Sequence, residues 1–245
     1  MGDDDTLLIE RRDDRVVARV NRPHVRNAID QRLVDLLHEL CAELEESPRI
    51  LILTGTGGVF ASGADIRQML QRRAADARAG INTRAFLRIR ALPMPVIAAI
   101  DGYALGGGAE LAYAADLRIG SPTARIGNPE TGLGILAAAG ATWRLPELVG
   151  PARAAELLYT GRVLNADEAL EWGLLSAIHP AGELMAAAHA LADRIAANDP
   201  LAVRHTKTAL RADDHPAVDL ELQAELFESP QKTRRMTAFL ERSRR

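Results

Sequence analysis

Two short apolar runs, Ile50-Leu-Ile-Leu53 and Pro95-Val-Ile-Ala-Ala-Ile100, each feed a glycine-bearing loop and then a helical pattern. Runs this short, rich in β-branched residues and bounded by glycine or proline, read as buried strands. Strand–helix alternation of this kind calls for an α/β core. The rest of the first two-thirds agrees. Segments 6–10 and 15–20 are β-prone and flank Asp13-Asp14, which reads as a hairpin. Asp30 stands where an N-cap should, ahead of Leu33, Leu36, Leu37, Leu40 and Leu44 at the 3.6-residue period. Further short strands are expected at 116–119 and 174–178. Beyond Gly182 only helical patterns occur, among them 216–227 and 232–242. The expected division is an α/β core over 1–181 and a helical region over 182–245. No internal repeat or low-complexity linker separates them.

Composition narrows the function classes. The chain has 245 residues, enough for a substantial core, with 47% hydrophobic and 26% charged residues. A net charge of −3 gives no electrostatic footprint for nucleic acid, so no nucleic-acid partner is expected. Cys41 is the sole cysteine, which rules out an intrachain disulfide and suits a reducing cytosol, so a cytoplasmic location is expected. The start, Met1-Gly-Asp-Asp-Asp-Thr6, is acidic and lacks the apolar core of a signal peptide. It matches a myristoylation pattern loosely, but its aspartates would be repelled by an anionic membrane. The longest apolar stretch, 95–115, is interrupted by Asp101, several glycines and Glu110, and does not read as a membrane span.

Common cofactor motifs fail on inspection. Gly55-Thr-Gly-Gly-Val-Phe60 begins like a dinucleotide fingerprint, but Phe60 occupies the third glycine position. Gly58-Val-Phe-Ala-Ser-Gly63 has P-loop spacing, yet Ala64 stands in place of the lysine. No nucleophile elbow surrounds Ser62, and the six histidines lack metal-ligand spacing. Neither a metal nor a redox cofactor is expected.

Two acids and two loops remain. Glu110 lies in Ala104-Leu-Gly-Gly-Gly-Ala-Glu-Leu-Ala112, and Glu130 in Gly127-Asn-Pro-Glu-Thr-Gly-Leu-Gly134. An acid in an otherwise uncharged Gly/Ala/Leu stretch is costly to bury without work or a partner. Neighbouring carboxylates in a dry site push their pKa values apart, which suits general acid/base chemistry. The loop 59–66 leads to a helix expected to start near Ala64, and 103–108 to one starting near Gly107. N–H groups at helix starts are unpaired and carry positive potential. Two facing starts would hold an oxygen that gains charge during a reaction. For either loop alone, a tight turn is the simpler reading.

Taken together, the 60–66 segment, Asp101-Gly-Tyr-Ala-Leu-Gly-Gly-Gly-Ala-Glu110, and Gly127-Asn-Pro-Glu130 followed by Gly134 resemble the crotonase superfamily, specifically enoyl-CoA hydratases. Asn21-Arg-Pro-His-Val-Arg-Asn-Ala28 and Met236-Thr-Ala-Phe-Leu-Glu241 match as well, so the likeness spans nearly the whole chain. The resemblance implies a spiral of ββα turns followed by a helical trimerisation region, assembled as a homotrimer or a dimer of trimers. It implies an acyl-CoA thioester as substrate, with CoA part of that substrate and no separate cofactor. The N–H groups of Ala64 and Gly107 would hold the thioester oxygen. Glu110 would take a proton from water and Glu130 deliver one to Cα. His24, Val25, Arg26, Ala61, Ser62, Gly63, Asp65 and Ile66 match positions along CoA and the substrate, and Phe239 and Arg242 match a C-terminal helix that approaches CoA.

The chain departs from the pattern after Gly134, where Ile135-Leu-Ala-Ala-Ala-Gly-Ala-Thr-Trp143 replaces a Pro-Gly-rich stretch ending in Gln. Alanine for glycine removes backbone freedom and adds a methyl group, so a stiffer loop and a narrower pocket are expected. Trp143 reads as a core residue rather than a substrate contact. Hydration of a 2-enoyl-CoA is the favoured reading. The alternatives are another crotonase reaction such as double-bond isomerisation, or a catalytically weak acyl-CoA-binding protein, against which the paired acids count.

Overall fold

The computed structural model describes residues 6–242; the acidic stretch 1–5 read above for targeting lies outside them. The chain divides into two compact units between Ala192 and Asp193.

The first unit is built on a six-stranded sheet. Strands β1 (Leu7–Arg11) and β2 (Arg15–Val20) form the expected antiparallel hairpin. β2 pairs in parallel with β3 (Ile50–Gly55), β3 with β4 (Val96–Ile100), β4 with β6 (Leu117–Gly120), and β6 with β9 (Ala177–Ile178). β4 is buried at every position, as a parallel strand covered on both faces must be. Helix α1 (Gln31–Glu46) covers this sheet with Leu33, Leu37, Leu40 and Leu44, and its first turn is capped by Asp30, whose Oδ1 accepts from the Leu33 N–H at 2.9 Å. Helices α2 (Ile66–Gln71), α3 (Ala74–Ala79) and α4 (Ile81–Ala91) fill the crossover from β3 to β4.

A second, three-stranded sheet was not legible in the sequence. It joins β5 (Tyr103–Leu105), β7 (Arg125–Gly127) and β8 (Val163–Asn165), with β5 parallel to β7 and β7 antiparallel to β8. Ala61 extends it by an isolated parallel bridge to Ala104. Successive turns of chain thus give one strand to the large sheet and one short segment to the small one, stacked in parallel register. Helix α5 (Gly107–Ala114) leaves the small sheet and is buried along its whole length. A short 3-10 helix, Pro129–Leu133, follows β7. Helices α6 (Ala141–Val149), α7 (Pro151–Thr160) and α8 (Ala166–Glu171) complete the unit, with most of α9 (Leu184–Ala196). The mixed α/β architecture expected from the sequence is the one observed.

Among its described residues the second unit consists of helices and the turns that join them. After the end of α9 come α10 (Pro200–Ala209), α11 (Ala217–Glu228) and α12 (Pro230–Arg242). Asp199 caps α10, its Oδ1 accepting from the Ala202 N–H at 2.9 Å. His205 Nε2 lies 2.8 Å from Glu225 Oε2, tying α10 to α11. Neither α11 nor α12 buries a residue; Leu220, Phe227, Met236, Phe239 and Leu240 all stand exposed. No helix of the described residues is long and apolar enough to cross a membrane.

Candidate active site

The glycine-bearing loops converge because backbone pairing brings them together. The Ile29 N–H donates to the Gly63 carbonyl at 2.8 Å, and the Asp65 N–H donates to the Ile29 carbonyl at 2.9 Å. In a parallel bridge of this kind the residue between the two partners, Ala64, turns its own N–H to the opposite side. Ala64 is therefore not at a helix start, as the sequence reading expected. α2 begins at Ile66 with Asp65 as its N-cap, because the Asp65 carboxylate accepts from the N–H of Arg67 at 3.0 Å. Pairing to Ile29 holds Ala64 extended. Gly107, by contrast, is the first residue of α5, as expected, following Gly106 at φ 53°. A Cβ placed on Gly107 would stand 3.5 Å from the Ala64 nitrogen, so the two N–H groups are neighbours. No hydrogen bond among the described residues occupies either one.

The small residues of the loop are required by close approach. A Cβ on Gly108 would fall 2.0 Å from the Ala61 carbonyl oxygen, so α5 can start here only with glycine at that position. Ala61 itself is fully buried: its N–H donates to Tyr103, and its carbonyl accepts from Leu105.

Both acids are buried, Glu110 at 4% and Glu130 at 8% exposure. Glu110 projects from the first turn of α5, and its Oε1 accepts from the N–H groups of Ala139 (2.7 Å) and Ala141 (3.1 Å). Those donors belong to the alanine-rich stretch after Gly134. Burial pushes the Glu110 pKa up to about 7, the negative charge of Glu130 adds to the rise, and the backbone donors oppose it. Glu130 is carried by the Pro129–Leu133 turn, with a Gly106 Cβ position only 3.0 Å from its Oε1. The Asn128 amide donates to that oxygen across a long 3.4 Å, and the Tyr113 hydroxyl donates to Asn128 Oδ1 at 2.9 Å. Glu130 Oε2 is buried with no hydrogen-bond partner. Burial raises the Glu130 pKa as well.

These groups face one cavity of about 760 Å³, lined among others by Ser62, Gly63, Ala64, Gly107, Glu110 and Glu130. Ile66 lines it too; Asp65 does not, its carboxylate being committed to the α2 cap and lying 3.8 Å from Arg22 Nη2. His24 and Val25 form a 3-10 turn, and Arg26, at φ 54°, accepts through its carbonyl from the Ser62 N–H, which links that turn to the loop. Phe239 and Arg242 are on α12, in the second unit. Trp143 is neither core nor cavity lining. It is 37% exposed, with the Arg90 guanidinium 5.3 Å from its ring centroid. Sequence reasoning passed over Asn128 and Tyr113, although Asn128 stands two residues before Glu130 in the same quoted segment. It also passed over Asn27, whose buried amide donates to the Val59 carbonyl at 2.6 Å and shapes the loop from β3.

Stacked parallel turns that bring two unoccupied backbone N–H groups and two buried carboxylates to one cavity define a crotonase-type α/β fold. The comparisons with known proteins agree. The family model described as enoyl-CoA hydratase/isomerase matches residues 14–245. The crotonyl-CoA hydratase of Syntrophomonas wolfei is 38% identical, the alignment covering 97% of this chain and 96% of that protein. The short-chain-enoyl-CoA hydratase of Clostridium acetobutylicum is also 38% identical, over 96% of this chain and 95% of its own length. The crystal structure of an enoyl-CoA hydratase from Bacillus anthracis superposes with a TM-score of 0.92 at 34% identity, covering 97% of this chain and 96% of that one. The chain belongs to the enoyl-CoA hydratase/isomerase family.

Proposed function

We propose that this chain hydrates a 2-enoyl-CoA to a 3-hydroxyacyl-CoA, with Glu110 and Glu130 acting on one water and the Ala64 and Gly107 N–H groups holding the thioester oxygen. The observation that carries the reading is the convergence of these four groups on one cavity. Attack of water at Cβ of the enoyl thioester moves an electron pair onto the thioester oxygen, giving an enolate. Two preorganised N–H donors stabilise that charge, each worth about 3 kcal/mol by the cost of removing such a donor elsewhere. Glu110, ionised and fixed through Oε1 by two backbone donors, takes the water's proton on Oε2. Glu130, protonated, gives its proton to Cα. The hydroxyl ends on Cβ and the hydrogen on Cα, and the proton gained by Glu110 balances the one lost by Glu130. All the chemistry is supplied by carboxylates and backbone, so the reaction is written without a cofactor, CoA being part of the substrate.

His24, Val25, Arg26, Ala61, Ser62, Gly63, Asp65 and Ile66 are proposed to line the CoA moiety and the acyl entrance. The exposed apolar side chains of α11 and α12 support assembly as a homotrimer or a dimer of trimers, in which Phe239 and Arg242 approach a bound CoA. Turnover of crotonyl-CoA, followed through loss of the conjugated thioester absorbance with product analysis for 3-hydroxybutyryl-CoA, tests the reading. A double-bond isomer as the main product would replace it with isomerisation.

A further inference from the structure

One side chain of the cavity wall is not used by the hydration chemistry. Asn82, the second residue of α4, lines the cavity. Its Nδ2 lies 3.4 Å from where a Cβ on Gly107 would stand, on the same flank as the Ala64 nitrogen at 3.5 Å. Its Oδ1 is buried and has no hydrogen-bond partner. The residue as a whole is half-buried, but a buried amide oxygen without a donor is costly and calls for an explanation in a ligand. The neighbouring Thr83 is committed, its hydroxyl donating to the Ala138 carbonyl at 3.3 Å, whereas no hydrogen bond holds the Asn82 amide. An amide torsion has broad, two-fold wells, so the group can turn either its donor or its acceptor toward a ligand.

We propose that Asn82 is a specificity-determining residue that recognises a hydroxyl group carried on the acyl chain close to the reacting carbons. A hydroxyl both donates and accepts, so it satisfies the amide in either orientation. A plain hydrocarbon chain leaves the amide unsatisfied, and a site built to hydrogen-bond a hydroxyl discriminates against analogues that lack one. The inference rests on the hydration reading, since it takes the same cavity for the acyl group.

The test compares kcat/KM for two matched pairs, crotonyl-CoA with 4-hydroxycrotonyl-CoA and hex-2-enoyl-CoA with 5-hydroxyhex-2-enoyl-CoA. The wild-type protein should favour the hydroxylated member of at least one pair by tenfold or more. Asn82→Leu, nearly the same size and apolar, should erase that preference, and Asn82→Ser, which keeps a donor and an acceptor, should retain part of it. No preference in either pair, or a preference that persists in a folded Asn82→Leu, overturns the proposal. Absence of turnover on all four thioesters would instead sink the hydration reading. Asn82 is then judged by the same ratios in equilibrium binding of the four compounds, where equal affinities within both pairs overturn it.

Discussion

The Ala139 N–H donates to Glu110 Oε1 over 2.7 Å, so the alanine-rich stretch after Gly134 is the one that holds the buried acid. With the Ala141 N–H on the same oxygen, two backbone donors fix Glu110 through Oε1. Alanine in this stretch narrows the backbone's choices in the unfolded chain, which favours the folded loop wherever its conformation is compatible.

Replacing either acid by its amide keeps size and polarity and removes the titrating group. Glu110→Gln and Glu130→Gln should each lower kcat on crotonyl-CoA by at least about a hundredfold, the lower end for loss of general acid/base catalysis. Dissociation constants for the product thioester should change little. Near-normal hydration by either variant would show that two acids are not needed.

Because Glu110 must be ionised to take the proton, kcat/KM should climb as pH rises through about 7. Glu130 must keep its proton to protonate Cα, so the rate should fall again at higher pH as this carboxyl, itself raised by burial, ionises. In Glu130→Gln that falling limb should disappear while the rising limb remains. A falling limb that persists in Glu130→Gln would assign it to another group.

The same shift enters stability with the opposite benefit. The folded protein holds the Glu110 proton more tightly than the unfolded chain, since its pKa goes from 4.5 to about 7 on folding. The group's contribution is complete below about 4.5 and is lost as pH rises through about 7, by at most about 3 kcal/mol. Glu110→Gln loses nothing over that window. Its melting temperature relative to wild type should increase between pH 4.5 and 8, and a constant or falling difference in calorimetry would contradict the burial cost assigned to this carboxylate.

The Ala64 N–H takes no part in the pairing to Ile29, so proline at 64 deletes the donor and leaves both flanking hydrogen bonds available. Ala64→Pro should lose about two to three orders of magnitude in kcat, the range for removing one such donor. Circular dichroism should stay that of the wild type. A folded variant with normal turnover would move the oxygen-binding donors elsewhere.

Light scattering on the intact protein should give the mass of a trimer or hexamer. Truncation before Lys232 removes Met236, Phe239 and Leu240, three of the exposed apolar residues, and should weaken acyl-CoA binding with Glu110 and Glu130 still in place. A monomeric mass, or unchanged binding after truncation, would count against the proposed assembly.

Much of this architecture could be read from residues alone, and the exceptions have physical causes. Strands β3 and β4, helix α1 and its Asp30 cap were legible because period, propensity and capping agree there. The small sheet escaped because β5, β7 and β8 have three residues each, too few to show a period of two. Ala64 was placed at a helix start because glycine followed by a helical pattern usually signals one. The competing event, a parallel bridge to Ile29 some 35 residues earlier in the chain, leaves no local trace. The glutamates stood out by charge in an apolar setting, whereas Asn128, Tyr113 and Asn82 are common polar residues whose roles depend on what folds against them.

Cys41 is the only thiol of the chain, 1% exposed on the inner face of α1 with its pKa pushed up to about 12 by burial. Neutral and walled in, it is beyond the reach of alkylating reagents while α1 stays packed on the sheet. Each modification event then marks one opening of the core. The wild-type protein thus carries its own reporter of transient unfolding, readable by mass spectrometry as one added group per molecule, with no engineered label and no second thiol to confuse the count.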